Sequence, residues 1–313
     1  MAVRWQRLIW LWTVSLSLGW MSWMPGWLAL LPLSAVVLHL GVFAIEMVLV
    51  ARLHGHDPAP RPTARALSAA ALREAWLAAR VFGWRQPWRS AAWPDQPDAN
   101  GVQGVLLVHG YLCNRAVWRN WYGCLRAAGV PHIGVSLSPA WADIDSYAPQ
   151  IEQAVARLVH GTGRTPLLVG HSMGGLVIRA WWRWRQQRIA LGQGRDLVEI
   201  EMPRVLTLGT PHLGTWLSRW GGPVNVRQMA PGNPWLEALL ASEPAHWRAR
   251  FTCVHSACDN VVFPPACAVL PGATAVFWPG LAHVELAHDQ GGYKLVAKLL
   301  DAAAADATGM QKA

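Results

Sequence analysis

Ser172 stands in Gly170-His171-Ser172-Met173-Gly174-Gly175, directly after a short apolar run and directly before a long helical one. A serine hydroxyl attacks a carbonyl only when a base takes its proton and fixed dipoles meet the charge that forms. The G-x-S-x-G spacing suits that chemistry. At a sharp strand-to-helix turn only glycine fits beside the serine, here Gly170 and Gly174, and the hydroxyl is lifted above the sheet. The start of the helix behind it aims amide hydrogens and a positive dipole end at the reacting centre. Met173, next after the serine, would lend one backbone N–H to an oxyanion. A second is expected from Tyr111 in His109-Gly110-Tyr111-Leu112, where Gly110 lets the backbone approach a substrate and His109 braces the loop. A serine that merely caps its helix is the plainer reading of the same residues.

Two further residues are candidates for the proton transfer. Asp259, in Ser256-Ala257-Cys258-Asp259-Asn260-Val261-Val262, follows another apolar run, where a carboxylate could orient and charge-stabilise an imidazole. Asp before Asn is also ordinary turn chemistry. His283, in Trp278-Pro279-Gly280-Leu281-Ala282-His283-Val284-Glu285, is the expected general base. Its rival, His288, is farther from the last strand and opens the final helix.

The elements that must position these groups alternate. Short β-rich runs are predicted at 102–108, 132–137, 166–169, 204–208, 250–255 and 273–277, and helices near 116–128, 144–159, 173–189, 233–241 and 291–304. That alternation implies an α/β fold with a mostly parallel sheet and helices on both faces. In such sheets chemistry collects at the carboxyl ends of the strands, where Tyr111, Ser172, Asp259 and His283 all fall.

The first hundred residues read differently. Leu8–Met24 and Trp27–Val50 are apolar stretches joined at Pro25-Gly26, and the first, as a helix, would be about 26 Å long, near the hydrocarbon thickness of a bilayer. No small-x-small cleavage site follows the first stretch, so a two-helix membrane hairpin over 1–53 is expected in preference to a signal peptide. Arg4 and Arg7 before it and Arg52, Arg61, Arg65 and Arg73 after it predict an inner-membrane protein with both ends, and so the catalytic part, in the cytoplasm. Glu46 and His39, seven positions apart, are expected to pair inside the hairpin. Residues 54–100 read as linker and juxtamembrane helix, 101–305 as the catalytic domain and 306–313 as a tail.

Composition supports that division. Of 313 residues 14% are charged and 53% hydrophobic, which excludes a disordered chain. The net charge is +9, only three of the 27 basic residues are lysine, and 21 of the 30 aromatics are tryptophan, a pairing that suits a lipid headgroup layer. Basic residues are spread along the chain without a recognised motif, so nucleic acid is not an expected partner. The one cluster, Ile178–Arg188 (IRAWWRWRQQR), is expected as a solvated or headgroup-facing surface. Cys113, Cys124, Cys253, Cys258 and Cys267 contain no CxxC pair, which argues against a zinc or thioredoxin-type site. They are expected as free thiols, with a Cys258–Cys267 disulfide open to an exported chain.

Taken together, LLVHGY, GHSMGG, Leu206–Thr215 (LTLGTPHLGT), the SACDNVV loop and the GLAHVEL loop resemble the α/β-hydrolase superfamily, specifically its bacterial-type serine lipases and esterases, over about Val102–Ala304. The order Ser172, Asp259, His283 is the superfamily's order. The resemblance implies cleavage of a carboxylic ester through a serine acyl-enzyme, with no metal and no cofactor, and an ester or lipid as substrate. It makes His212 a pocket-lining or structural residue. An acyltransferase would use the same three residues, and a non-catalytic membrane scaffold is the reading from another class. Only about forty residues separate Thr210 from Arg250. That leaves room for a short lid around Gly221–Trp235 and implies an open, shallow site.

Overall fold

The computed structural model describes residues 2–24, 26 and 33–310. All six expected runs form strands, five of them trimmed and the third shifted to run two residues further: β1 (Val105–Val108), β2 (His132–Val135), β3 (Leu167–His171), β4 (Val205–Leu208), β5 (Phe251–His255) and β6 (Thr274–Phe277). They make one parallel sheet in the order β2-β1-β3-β4-β5-β6. Val108 pairs with Gly170 and His171 with Leu208, so the loops after β1, β3 and β4 leave the sheet at one level. Because successive side chains on a strand face opposite ways, Leu106 and Val108 feed one core cluster while Val105 and Leu107 feed another.

Helices cover both faces. In chain order they are α1 (Ala2–Trp23), α2 (Ser34–Leu53), α3 (Ala64–Ala78), a π-helix (Ala79–Arg85), α4 (Gln86–Arg89), α5 (Arg119–Ala127), α6 (Ala148–Thr162) and α7 (Met173–Ala190). Then come α8 (Val224–Gln228), α9 (Pro234–Ala241), α10 (Ala245–Arg248), α11 (His283–Leu286) and α12 (Gln290–Met310). Ile151 and Val155 of α6 and Leu176 and Trp181 of α7 fill one cluster; Trp121 and Leu125 of α5 and Val296 of α12 fill the other.

The stretch expected as a linker also belongs to that second cluster. Leu77 of α3 and Val81 of the π-helix pack with Val105, Val169 and Leu206 of the sheet. Their apolar spacing, continued from Leu67 and Ala70, makes a helical stripe that has to be buried somewhere.

The basic run on α7 is not a solvated face. Arg179 is wholly buried against Glu243, Arg183 pairs with Asp145 at 2.8 Å, and Arg185 pairs with Glu152. Trp181 and Trp182 are buried, and Trp181 donates its indole N–H to Glu152 at 2.8 Å. Each of these three arginines meets a carboxylate far away in the chain, which local composition does not reveal.

The N-terminal helices also depart from expectation. Among the described residues, α2 alone is long and apolar enough to cross a membrane. The first expected span lies within α1, whose start carries Arg4, Gln6 and Arg7 and is docked on the globular part. Arg7 Nε donates to the Pro87 carbonyl at 2.5 Å, and Trp10 meets Trp88 edge-on at 6.1 Å. Pro25 and residues 27–32, the expected turn and the start of the second span, lie outside the described residues, as do 311–313 of the expected tail. Glu46 and His39 do not pair. His39 Nε2 donates to the Ala75 carbonyl at 2.9 Å, and Glu46 accepts from Asn260 at 2.6 Å, because α2 lies against α3 and the Asp259 loop.

Candidate active site

Ser172 stands between β3 and α7 with φ +55° and ψ −130°, a left-handed backbone that costs energy for any side chain and is held here by its neighbours. Its N–H donates to the Leu208 carbonyl at 2.9 Å, and Thr210 Oγ1 donates to the Ser172 carbonyl at 2.8 Å. The elbow closes against β1. A Cβ on Gly174 would lie 2.2 Å from the Val108 carbonyl oxygen, and one on Gly110 would lie 2.6 Å from Ser172 Cβ. Gly170, His171 and Met173 are buried around the turn. Tyr111 stands beside Leu112, among the described residues the other non-glycine with positive φ (+55°), so the loop after β1 is strained where it faces the serine.

Asp259 and His283 meet across 24 residues of chain. His283 Nδ1 lies 2.9 and 3.0 Å from the two Asp259 carboxylate oxygens, and both residues are buried. With Nδ1 as donor, Nε2 is left free to take a proton. Asp259 Oδ1 also accepts the backbone N–H groups of Val261 and Val262 at 2.9 and 2.8 Å, which fixes its rotamer. Burial works to lower the His283 pKa, but the charge and hydrogen bond of Asp259 outweigh it, and the net shift is upward from 6.5. Ser172 Oγ has no hydrogen bond among the described residues, and such contacts commonly tighten only with substrate bound.

A surrounding shell steadies the imidazole. Burial holds His171 well below its ordinary pKa, so it is neutral, and it donates Nε2–H to the His283 carbonyl at 3.0 Å with the two rings 4.7 Å apart. Asn260 Oδ1 accepts the His283 backbone N–H at 3.1 Å. Glu74 of α3, almost wholly buried, accepts the N–H groups of Val284 and Glu285 at 2.7 and 3.2 Å, the first turn of α11. Burial, partly offset by the Val284 N–H, pushes the Glu74 carboxyl up to about 8. Sequence reasoning missed Glu74 and Asn260. The available signal was a lone carboxylate on the apolar stripe Leu67, Ala70, Glu74, Leu77, Val81.

The remaining histidines fall elsewhere. His109 braces its loop as expected: Nδ1 donates to the Gly110 carbonyl at 2.8 Å, Nε2 accepts from Leu137 N–H at 2.9 Å, and burial lowers its pKa to about 4. His212 is buried beside Arg179 and Thr207, away from the serine. His288 contacts Asn120 and takes no part in the Asp259–His283 pair. All five cysteines are free thiols. No group of three or more His, Cys, Asp or Glu among the described residues is placed to hold a metal ion.

Ser172, His283, Tyr111 and Asn260 open into one largely apolar cavity of about 490 Å³. Its outer wall does not come from the expected lid. Residues 221–235 pack over the α6–α7 side, where Asn225 donates to the Ala140 carbonyl and Gln228 accepts from Ile144. The wall is built instead by the N-terminal helices, through Gln6 of α1, Phe43 and Glu46 of α2, Glu74 and Ala78 of α3, and Phe82. Beside it a smaller hollow of about 300 Å³, also bounded by Gln6 and Phe82, runs along Ile9, Trp10, Thr13 and Val14 of α1.

Residues 131–230 match the family model described as "Putative serine esterase (DUF676)". Among solved structures, the mature form of Bacillus licheniformis lipase BlEst2 is 18% identical with a TM-score of 0.52, covering 66% of this chain and 95% of that one. Its propeptide form is 17% identical with a TM-score of 0.52, covering 65% of this chain and 51% of that longer one. At these identities the likeness is one of fold. No curated protein sequence matches the chain.

Proposed function

We propose that this chain is a serine ester hydrolase that cleaves apolar, lipid-like carboxylic esters beside a membrane through an acyl-enzyme on Ser172. His283 Nε2 takes the Ser172 proton as Oγ bonds to the ester carbonyl carbon. The carbonyl oxygen, now anionic, is met by the Met173 and Tyr111 amides. His283 passes its proton to the departing alkoxide, and the alcohol leaves. A water activated by the same imidazole then attacks the acyl-serine, and the carboxylic acid is released with Ser172 restored. Asp259 holds the imidazole tautomer and stabilises its charge throughout.

The observation that carries this reading is the cavity itself. Ser172 and the Asp259-paired His283 share it with an apolar wall drawn from α1, α2 and Phe82. Those helices turn other faces outward. Leu8, Leu11, Trp12 and Leu16 of α1 and Val36, Val37, Leu38 and Ile45 of α2 are exposed, an apolar surface suited to a bilayer. α2 would cross or enter the membrane, with the basic residues flanking the pair favouring the cytoplasmic side for the catalytic part. An ester whose chain already lies in lipid then meets the serine along α1.

The test is a chain-length panel on the full protein in detergent, from p-nitrophenyl acetate to palmitate, with Ser172→Ala beside it. Turnover and fluorophosphonate labelling should both vanish in the variant, a loss of about 10⁶-fold in kcat. Labelling that survives the substitution overturns the serine assignment. A preference for acetate or butyrate esters overturns the lipid-like substrate.

A further inference from the structure

A second cavity, of about 480 Å³, lies on another face of α3, which turns Glu74 and Ala78 toward Ser172 but Arg73, Trp76 and Leu77 toward this space. Arg80 and Arg85 line it from the π-helix, and His288 and Asp289 from the segment beyond His283. The π-helix explains the meeting of the two arginines. Its i to i+5 hydrogen bonding brings residues five apart toward one face, whereas an α-helical turn of 3.6 residues would swing them apart.

Several buried polar atoms here are unmatched, and they are donors. Arg85 is only 5% exposed, yet its Nε and Nη1 have no hydrogen-bond partner. His288 Nε2 and the hydroxyl of neighbouring Tyr293 are likewise buried without partners. Burial, with the charges of Arg85 and Arg80, lowers the His288 pKa to about 3, so its ring is neutral. Its Nδ1 faces the Asn120 amide nitrogen at 3.5 Å, which leaves the hydrogen on Nε2.

The acidic groups nearby are engaged. Glu285 holds Arg73 at 2.5 Å and the Ala282 N–H at 2.9 Å, and Asp289 Oδ1 accepts the Gly291 N–H at 2.7 Å. No ion pair among the described residues involves Arg80 or Arg85. Arg80 lies over the Trp76 ring at 4.9 Å, and Arg119 adds further positive charge.

A buried guanidinium without a counter-charge is costly, and a cluster of unpaired donors is complementary to an anion. We propose that this cavity binds a phosphate group, forked by Arg85, closed by Arg80 and hydrogen-bonded by His288. A tetrahedral oxyanion offers acceptors in several directions at once, which suits donors arriving from the π-helix and from the segment after His283. Trp76 and Leu72 at the rim are exposed, so the phosphate could be free or carried by a phospholipid headgroup. The site stands apart from Ser172 and does not depend on the ester reaction.

Thermal unfolding of the full protein in dodecyl maltoside tests it, with sodium phosphate against sodium chloride of equal ionic strength. Dihexanoyl phosphatidylglycerol forms a second arm. A specific ligand should raise Tm by about 3 °C or more at saturation. The rise should disappear in Arg85→Gln and in Arg80→Gln, the latter an exposed residue whose loss leaves the core untouched. Without ligand, Arg85→Gln should unfold no earlier than the parent, since it removes an unpaired buried charge. A response to phosphate alone identifies free phosphate, and a response at lower concentrations of the lipid identifies a headgroup. No specific shift in either arm overturns the proposal, as does a shift that persists in both variants or an Arg85→Gln protein destabilised equally with and without ligand.

Discussion

Glu74 accepts the backbone N–H of Val284 at 2.7 Å and so ties α3, a helix outside the sheet, to the residue that follows His283. Its second oxygen holds Glu285 N–H at 3.2 Å, so one carboxylate fixes the first turn of α11. Asn260 grips the same loop through the His283 N–H and reaches α2 through Glu46. The His283 imidazole is therefore held from outside the sheet as well as from within it.

Glu74→Ala should lower kcat for esters by about 10-fold or more through a looser histidine, with KM little changed. Glu74→Gln keeps one acceptor and should recover part of the loss, an outcome that equal damage by both variants would contradict. The raised carboxyl also has a signature in stability. Between its unfolded value of 4.5 and its folded value of about 8, the folded state binds the extra proton. Stability from this group therefore falls as pH rises through that window. Glu74→Gln should flatten the decline, as read by Tm from pH 5 to 8.

Asp259→Asn should cost about 10³- to 10⁴-fold in kcat, because the imidazole loses both its tautomer and its counter-charge. Since Asp259 raises the His283 pKa, activity in the parent should rise with pH through a midpoint above 6.5. In the variant burial acts unopposed by that charge, and the residual activity should have its acid limb at lower pH. A limb that stays in place would remove Asp259 from the pair.

Phe82→Trp should crowd the passage between the Ser172 cavity and the hollow along α1, both of which Phe82 bounds. Palmitate esters should lose about 10-fold in kcat/KM and acetate esters less than about 2-fold. Equal losses for both would place the acyl chain elsewhere.

Arg179→Met should destabilise the fold by about 3–5 kcal/mol, because it strands Glu243 as an unpaired buried charge. Replacing both Arg179 and Glu243 by Met should restore most of that loss, as judged by urea unfolding. An additive pair of effects would mean that the two side chains do not depend on each other.

The chemistry of Ser172 was legible because it is local. Two glycines flank a serine where a strand becomes a helix, and the steric demand of that turn is written within five residues. The six strands were legible for a similar reason, since a buried parallel strand is a short apolar run whatever lies beside it. Asp259 and His283 could be ranked from their places after β5 and β6. Their 2.9 Å approach is a property of the folded sheet.

Other features turned on partners distant in the chain. Arg179 and Arg185 of α7 look solvent-facing in the sequence and are buried in the fold, because Glu243 and Glu152 come to meet them. The expected lid after β4 packs to one side, while helices that read as a separate membrane hairpin form the wall over Ser172. Hydropathy reports that a surface avoids water but not whether lipid or protein covers it, and a charge does not name its counter-charge. Periodicity and turn sterics therefore determined the elements and the candidate nucleophile. Long-range packing decided which helices enclose the site and which carboxylate steadies His283.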